Sequence, residues 1–148
     1  LELCKYIKYI VCSKGFAETV TGMKFDYNNP STLVAIYNKL QNKYPNGSIV
    51  ITLEEKGCLY QVGNEIKIMP GLKVQPVDTT GAGDIFHGAF TYGIANNFDI
   101  EKTITLANIA AGLSVTKIGS RLSIPNLSEV LDYYAKKTGQ INDNQQNS

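Results

Sequence analysis

Residues 77–90 combine small residues with a carboxylate in a pattern that could bind and transfer a phosphoryl group. Gly81, Ala82 and Gly83 stand where an apolar helix is predicted to begin, so their backbone N–H groups are left uncovered. The helix dipole adds partial positive charge there, and an anion can settle on these amides. Asp84 follows in the first predicted turn. A carboxylate beside an anion site suits the removal of a proton from an attacking hydroxyl while the amides hold the phosphoryl group.

The same residues also admit a purely structural interpretation. A Gly-rich helix cap followed by an aspartate in the first turn is common in proteins that bind no phosphate. The motif is neither G-x-G-x-x-G after a first strand nor a P-loop ending in Gly-Lys-Ser/Thr, so two better-known nucleotide-binding interpretations lose weight. His87, the single histidine, lies one turn into the predicted helix. We expect it to pack or form a hydrogen bond rather than to act in catalysis.

The composition indicates a soluble globular domain. A chain of 148 residues with 43% hydrophobic and 18% charged residues is long enough for one sizeable core. The formal net charge of +1 and the lack of a Lys/Arg cluster argue against binding to nucleic acid. No run approaches the roughly 18 apolar residues that a membrane span needs, so no membrane association is expected.

The ends and the cysteines point to an intracellular fragment. Charged residues interrupt the start of the chain where a signal peptide would be apolar. The chain does not begin with Met, and we expect it to be a piece of a longer protein. Three cysteines, Cys4, Cys12 and Cys58, form no C-x-x-C pair. They are expected to be reduced, buried thiols in a cytoplasmic protein.

The elements that must position the motif follow from hydrophobic patterning. The predicted order is strand, helix, helix, strand, then a hairpin turning at Gly63-Asn64, then three helices. Asp99 and Ser128 are the predicted N-caps of the last two helices. Residues 48–53 form a continuous apolar strand, typical of a parallel sheet, and the order favours a layered α/β fold. Residues 1–137 are predicted to fold as one region, followed by a disordered polar tail, residues 138–148.

The motif resembles the second signature of the phosphofructokinase-B (ribokinase-like) carbohydrate kinases, Asp-Thr-x-Gly-Ala-Gly-Asp, at residues 78–84. Flanking stretches resemble the same family: residues 51–57 its Thr-Leu-Gly-x-x-Gly turn, residues 108–111 its Asn-Ala-Ala-Ala helix and residues 116–125 its closing loop. The resemblance extends over about residues 6–136. It implies a ribokinase-like three-layer α/β/α (Rossmann-like) sheet, of which this chain is the C-terminal half only, without the lid and the N-terminal sugar-binding half.

The resemblance also implies a role for each matching residue. Asp84 would be the catalytic base, and Gly81, Ala82 and Gly83 would form the anion hole for the transferring phosphoryl group. ATP would contact Thr52, Gly57 and Asn108. A monovalent cation, K⁺ in this family, would be held by Asp78, the Thr80 carbonyl, Ser114, Gly119 and Ser123.

Two departures from the family pattern concern the nucleotide side. The family often carries Asn-x-x-Glu after the early strand, which helps to organise magnesium, whereas this chain reads Ser13-Lys14-Gly15-Phe16. Ketohexokinase-like members share the Ser-Lys pair, so the change does not by itself imply inactivity. Lys14 could reach a phosphate, although a solvated lysine is the expected state. Glu54 replaces the glycine of Thr-Leu-Gly and puts a carboxylate near the expected phosphates, so it either points to solvent or weakens ATP binding.

The resemblance therefore implies an ATP-dependent kinase that phosphorylates a hydroxyl of a small carbohydrate with Mg²⁺, and as a full-length protein a homodimer. A nucleoside kinase of the same superfamily and a non-catalytic nucleotide-binding fragment remain alternatives. Residues 79–80, before Gly81, and residues 87–90 are more similar to sugar kinases than to adenosine kinases, which favours a sugar as the acceptor. We expect the isolated chain to be inactive and prone to associate, because removing half of a shared sheet exposes an apolar edge.

Overall fold

The computed structural model describes residues 6–119 and 121–146, with residues 140–146 described by backbone alone. The chain forms two compact units, the first ending at Pro70 and the second beginning at Gly71. The region predicted as one, residues 1–137, is thus divided between two units. None of the helices within these described ranges is both long and apolar enough to cross a lipid bilayer.

The first unit is a mixed four-stranded sheet with two helices, in the predicted order. The strand order is β1-β2-β3-β4, with β1 and β2 parallel and the remaining pairs antiparallel. The predicted turn at Gly63-Asn64 joins β3 to β4. The elements are β1 (Tyr9–Ser13), α1 (Lys14–Thr21), α2 (Pro30–Lys43), β2 (Ser48–Thr52), β3 (Cys58–Val62) and β4 (Glu65–Met69).

Side chains of α2 and β2 make the centre of this unit's core. Ile36, Leu40 and Ile51 are fully buried there, and each such side chain stabilises the fold by about 1.5–3 kcal/mol relative to an exposed one. Tyr37 is buried with them, and its hydroxyl donates a hydrogen bond of 3.0 Å to the carbonyl oxygen of Ile49. Burial raises the pKa of Tyr37 to about 12. This hydrogen bond fixes α2 against the strand it covers.

The carboxyl ends of the two parallel strands lie side by side. Ser13 is the register partner of Thr52, whose hydroxyl donates a hydrogen bond of 3.4 Å to the Cys12 carbonyl. α1 begins immediately after Ser13, whose Oγ accepts from the Phe16 amide at 3.2 Å. In open α/β sheets this edge is where ligands commonly bind.

The second unit contains three helices, α3 (Ala82–Ala95), α4 (Ile100–Ser114) and α5 (Leu127–Gln146). Asp99 caps α4 as predicted, its Oδ1 accepting from the Lys102 amide at 2.8 Å. Leu106 and Ile109 of α4 pack with Val130 of α5 in the unit's core. Ile85 and Ala89 of α3 pack against the same cluster, so all three helices contribute to this core.

Two sequence-based expectations about α5 differ from the structure. Asn126, not Ser128, accepts from a first-turn amide, that of Glu129, at 3.2 Å. The helix also continues to Gln146, through a segment predicted to be disordered from Thr138. That segment was predicted to be disordered because it has little to bury, but it contains no proline, and its one glycine, Gly139, costs a helix interior only about 1 kcal/mol. Residues 147–148 lie outside the described residues.

The buried cysteines behave as expected. Cys12 and Cys58 are both buried as thiols, on β1 and β3 of the first unit. Cys4, which was expected to do the same, lies outside the described residues.

Candidate active site

A left-handed glycine starts the helix that carries the predicted catalytic carboxylate. Gly81, the residue before α3, has φ 80° and ψ −1°. A side chain with a Cβ rarely adopts this conformation, so glycine lets the chain turn sharply into the helix. The Gly81 carbonyl accepts from the Ile85 amide at 3.0 Å, which closes the first helical turn. Asp84 lies within that turn.

The amides at this helix start are only partly engaged. The Ala82 amide donates to the Thr79 carbonyl at 3.2 Å, so one of the three amides predicted to form the anion hole serves the turn instead. Within the described part of the chain, the amides of Gly81, Gly83 and Asp84 donate to no protein acceptor. The open donors beside the carboxylate are therefore these three, and the dipole of α3 adds to their attraction for an anion.

Asp84 is solvent-exposed and lines a cavity of about 420 Å³ within the second unit. Gly81 lies at the same cavity, so the carboxylate and the turn border one space. The rest of the wall is mostly apolar and comes from α3, α4, α5 and the segment before α5. Its members include Ile85, Ala89, Tyr92, Leu106, Ala110, Pro125 and Val130. A small molecule entering this space could reach the Asp84 carboxylate directly.

Asp78 ties the turn before α3 to the loop after α4. Its Oδ1 accepts from the Thr80 amide at 2.9 Å, and its Oδ2 accepts from the Gly119 amide at 3.0 Å. Hydrogen bonds from the Thr80 amide and hydroxyl, and then from Gly119, hold the pKa of Asp78 below its ordinary value of 3.8. The Val115 carbonyl reinforces the link, accepting from the amides of Val77 and Asp78 at 2.7 and 3.2 Å.

Hydrogen bonds link four of the five predicted cation ligands: Asp78, Thr80, Gly119 and Ser123. Thr80 and Gly119 both contact Asp78, and the Gly119 carbonyl accepts from the Ser123 amide at 2.9 Å. Ser114 ends α4, its hydroxyl donating to the Ala111 carbonyl at 2.7 Å. A carboxylate with several carbonyl and hydroxyl oxygens is a set of hard donors, which fits a cation such as K⁺ in donor chemistry.

The residues predicted to contact ATP fall into both units. Thr52 is half-buried at the end of β2, and Gly57 follows it after a 3₁₀ turn, Glu54–Lys56. Gly57 has φ 95°, and its carbonyl accepts from the Leu53 amide at 2.7 Å. Asn108 is buried in α4 of the second unit. Glu54, within the 3₁₀ turn, is exposed and has φ 58°.

The segment that stands where the family often has Asn-x-x-Glu does not fit a magnesium ion. Ser13 Oγ accepts a backbone hydrogen bond as the cap of α1, and Phe16 has no oxygen donor. Among the described residues, no group of three or more His, Cys, Asp or Glu side chains could hold a metal ion.

The His87 side chain and the backbone carbonyls of Thr79 and Val115 also form hydrogen bonds at the start of α3 and in the turn before it. Nδ1 of His87 lies 2.6 Å from the Gly83 carbonyl oxygen, a hydrogen bond along its own helix, as expected. Sequence reasoning missed the carbonyls of Thr79 and Val115, which organise the turn. A carbonyl acceptor carries no side-chain signal, so no residue pattern could have revealed either one.

Comparisons with known proteins identify the family of the chain. The pattern of the pfkB family carbohydrate kinases matches residues 1–127. The ribokinase of Lactococcus lactis is 40% identical over 92 residues, which are 62% of this chain and 30% of that protein. The ribokinase of Haemophilus influenzae is 30% identical over 133 residues, which are 89% of this chain and 42% of that protein.

A solved structure supports the same fold. The ribokinase of Arabidopsis thaliana, determined with ribose and ATP, superposes with a TM-score of 0.75 at 26% identity, over 88% of this chain and 42% of that one. This chain thus spans less than half the length of that ribokinase and of the two relatives above. The predicted ribokinase-like α/β fold, in part, is confirmed. The chain belongs to the pfkB family of carbohydrate kinases.

Proposed function

We propose that this chain is the ATP-side portion of a kinase that transfers the γ-phosphoryl group of ATP to a hydroxyl of a small carbohydrate. One observation carries the proposal. The exposed carboxylate of Asp84 stands in the first turn of α3, beside the open amides of Gly81 and Gly83, at the edge of a cavity. A base and an anion site at one place are what the attack of an alcohol on a phosphate requires.

The reaction proposed is a direct in-line transfer. The acceptor oxygen forms a bond to the γ-phosphorus while the bond from phosphorus to the β,γ-bridging oxygen breaks, releasing ADP. Asp84 takes the proton of the attacking hydroxyl. The amides of Gly81 and Gly83 stabilise negative charge on the phosphoryl oxygens during transfer. A base in this position is worth about 10²–10⁴ in rate.

The acceptor is proposed to be a sugar, with ribose the first to test. Relatives that carry the name ribokinase match this chain, and one solved relative was determined with ribose and ATP. Of the residues lining the cavity, Asp84 and Tyr92 have polar side chains. So few polar groups cannot select among sugar hydroxyls. Selection must then come from the part of the relatives that this chain does not span.

The remaining assignments are also proposals. ATP is proposed to contact Thr52, Gly57 and Asn108. Mg²⁺ would enter with the nucleotide and neutralise phosphate charge. K⁺ would be held by the oxygen donors around Asp78 and Gly119, where it would fix the loop after α4. The full-length protein is proposed to be a cytoplasmic homodimer.

Of the two alternatives, the non-catalytic module has specific support and the nucleoside kinase has none beyond the shared chemistry. Phe16 in place of an acid and Glu54 in place of a glycine favour a nucleotide-binding module without catalysis. The intact Asp84, which such a module would not need, argues against it. A nucleoside kinase would use the same chemistry at a ribose hydroxyl, and only the acceptor would differ.

The experiment compares turnover by the chain alone with turnover by a chimera that restores the missing part. The chain is assayed alone and as a chimera in which it replaces the matched 42% of the H. influenzae ribokinase. ATP binding and phosphorylation are measured for a panel of sugars and nucleosides. We expect the chain alone to be inactive and the chimera to phosphorylate a sugar. Robust sugar turnover by the chain alone would refute the expectation of inactivity, and ATP binding without any turnover in the chimera would favour the module.

A further inference from the structure

Two lysines from different elements meet at one aromatic ring in the first unit. Nζ of Lys14, the first residue of α1, lies 5.5 Å from the centroid of the Tyr27 ring. Nζ of Lys56, in the 3₁₀ turn after β2, lies 4.6 Å from the same centroid. Because α1 and this turn follow the parallel strands β1 and β2, the two ammonium groups lie beyond the carboxyl ends of those strands.

Two ammonium groups thus lie beside one aromatic ring, and neither forms an ion pair with a described residue. Among the described residues, no carboxylate lies within 4.0 Å of Lys14 or Lys56, whereas the nearby Lys24 pairs with Glu18 at 2.7 Å. The Tyr27 ring attracts both ammonium groups and limits their rotamers. A negatively charged chain long enough to reach both ammonium groups would be attracted by each of them.

The backbone of the turn adds neutral donors. The amides of Leu53, Lys56 and Gly57 donate within the turn, to the carbonyls of Gly57, Leu53 and Glu54. The amides of Glu54 and Glu55 donate to no acceptor in the described part of the chain. A residue in the left-handed region, here Glu54 with φ 58°, is a common feature of backbone concavities that bind anions.

Three carboxylates also belong to this neighbourhood. Glu54, Glu55 and Glu18 lie close enough to the Tyr27 hydroxyl to add to the effect of burial in raising its pKa. Their negative charge opposes the binding of any anion, so binding requires a ligand that contacts both ammonium groups and the open amides of the turn together. A polyphosphate chain carries enough charge, spread over enough length, to contact both ammonium groups at once. The geometry thus favours a polyphosphate.

We propose that Lys14 and Lys56, held by Tyr27, bind the polyphosphate chain of the nucleotide. The nature of the anion rests on the proposed kinase function, whereas the lysine pair itself rests on the geometry. Lys14, expected to be merely solvated, would then take part in binding. Lys56 and Tyr27 had no signal in the sequence, because their meeting depends on the packing of segments far apart in the chain.

The test is calorimetric titration of the 148-residue chain with tripolyphosphate, ATP, orthophosphate and adenosine. The variants are Lys14→Gln, Lys56→Gln, the double variant and Tyr27→Leu, and Lys39→Gln on the exposed face of α2 is the matched control. We expect each lysine change to weaken binding of tripolyphosphate and ATP about tenfold, since hydrogen bonds to charged groups have this strength. Adenosine binding and the control should not change. Tyr27→Leu should weaken polyphosphate binding while leaving both charges in place.

Several outcomes would overturn the inference. These are unchanged polyphosphate affinity in the double variant, an equal loss in Lys39→Gln, or no binding of either polyphosphate by the wild-type chain. Circular dichroism of each variant separates lost binding from lost folding. Sugar turnover by the chimera is measured separately from polyphosphate binding. An active chimera, together with lysine variants that bind polyphosphate as tightly as the wild-type chain, would refute the lysine site but not the kinase function. A lysine-dependent polyphosphate site in an inactive chimera would refute the kinase alone.

Discussion

The Gly119 amide donates a 3.0 Å hydrogen bond to Oδ2 of Asp78, and so joins the turn before α3 to the loop after α4. Both oxygens of this carboxylate accept hydrogen bonds from backbone amides, Oδ1 from Thr80 and Oδ2 from Gly119. Asp78 therefore has a structural task, distinct from that of Asp84, which is exposed at the cavity. The two aspartates of the signature should respond differently to substitution.

The Asp78 link is expected to weaken in acid. Hydrogen bonds lower the pKa of Asp78 in the folded protein. As pH falls, Asp78 is therefore protonated at a higher pH in the unfolded chain than in the folded protein. The stabilisation is complete well above pH 3.8, the ordinary value, and is lost as pH falls through the lower folded value. Asp78→Asn should lower the melting temperature at pH 7 and reduce its fall between pH 6 and pH 3. Thermal melts followed by circular dichroism measure both.

Asp132→Asn, at an exposed carboxylate of α5, is the control for that experiment. It should leave the melting temperature at pH 7 unchanged. If Asp78→Asn also leaves it unchanged, the link between the two loops does not stabilise the unit.

Replacing Glu54 by glycine should stabilise the first unit. Glu54 has φ 58°, in the left-handed region that costs a residue with a Cβ about 1–2 kcal/mol. Glycine avoids that cost but loses more entropy on folding, so Glu54→Gly should gain roughly 1 kcal/mol or less. Urea denaturation measures the difference. Glu54→Gln removes the charge and keeps the strain; a gain as large as that of glycine would show that charge, not backbone strain, is responsible.

Two glycines of α3 should respond in opposite directions to alanine. A Cβ at Gly93 would lie 2.7 Å from Oγ1 of Thr103 in α4, so Gly93→Ala should cost about 1–3 kcal/mol. A Cβ at Gly88 would meet nothing within 4 Å, and Gly88→Ala should gain up to about 1 kcal/mol from helix propensity. Denaturation of both variants makes each the control for the other. Equal effects would mean that α3 and α4 do not pack as described.

Local signals in the sequence predicted much of the fold. The Asp99 cap and the Gly63-Asn64 hairpin are properties of a few neighbouring residues, and both were confirmed. The extension of α5 beyond Thr138 was missed because the prediction considered only how little the segment could bury, whereas a helix can continue through polar residues.

The candidate site was predictable where a side chain or a glycine carries the chemistry. Asp84 stands in the first turn of α3, and Gly81 adopts the left-handed conformation that its place in the motif demands. The engagement of Ala82 with the Thr79 carbonyl could not be seen, because it depends on how the backbone closes the turn. The meeting of Lys56 with Tyr27 was equally hidden, since it depends on packing within the unit.

The most direct test of the central claim is phosphoryl transfer by the chimera carrying Asp84→Asn, compared with the unchanged chimera. Asparagine keeps the shape of the side chain and removes the base. The account predicts that kcat for sugar phosphorylation falls by about 10²–10⁴ while ATP binds with unchanged affinity. Turnover of the variant within a few-fold of the unchanged chimera would contradict it.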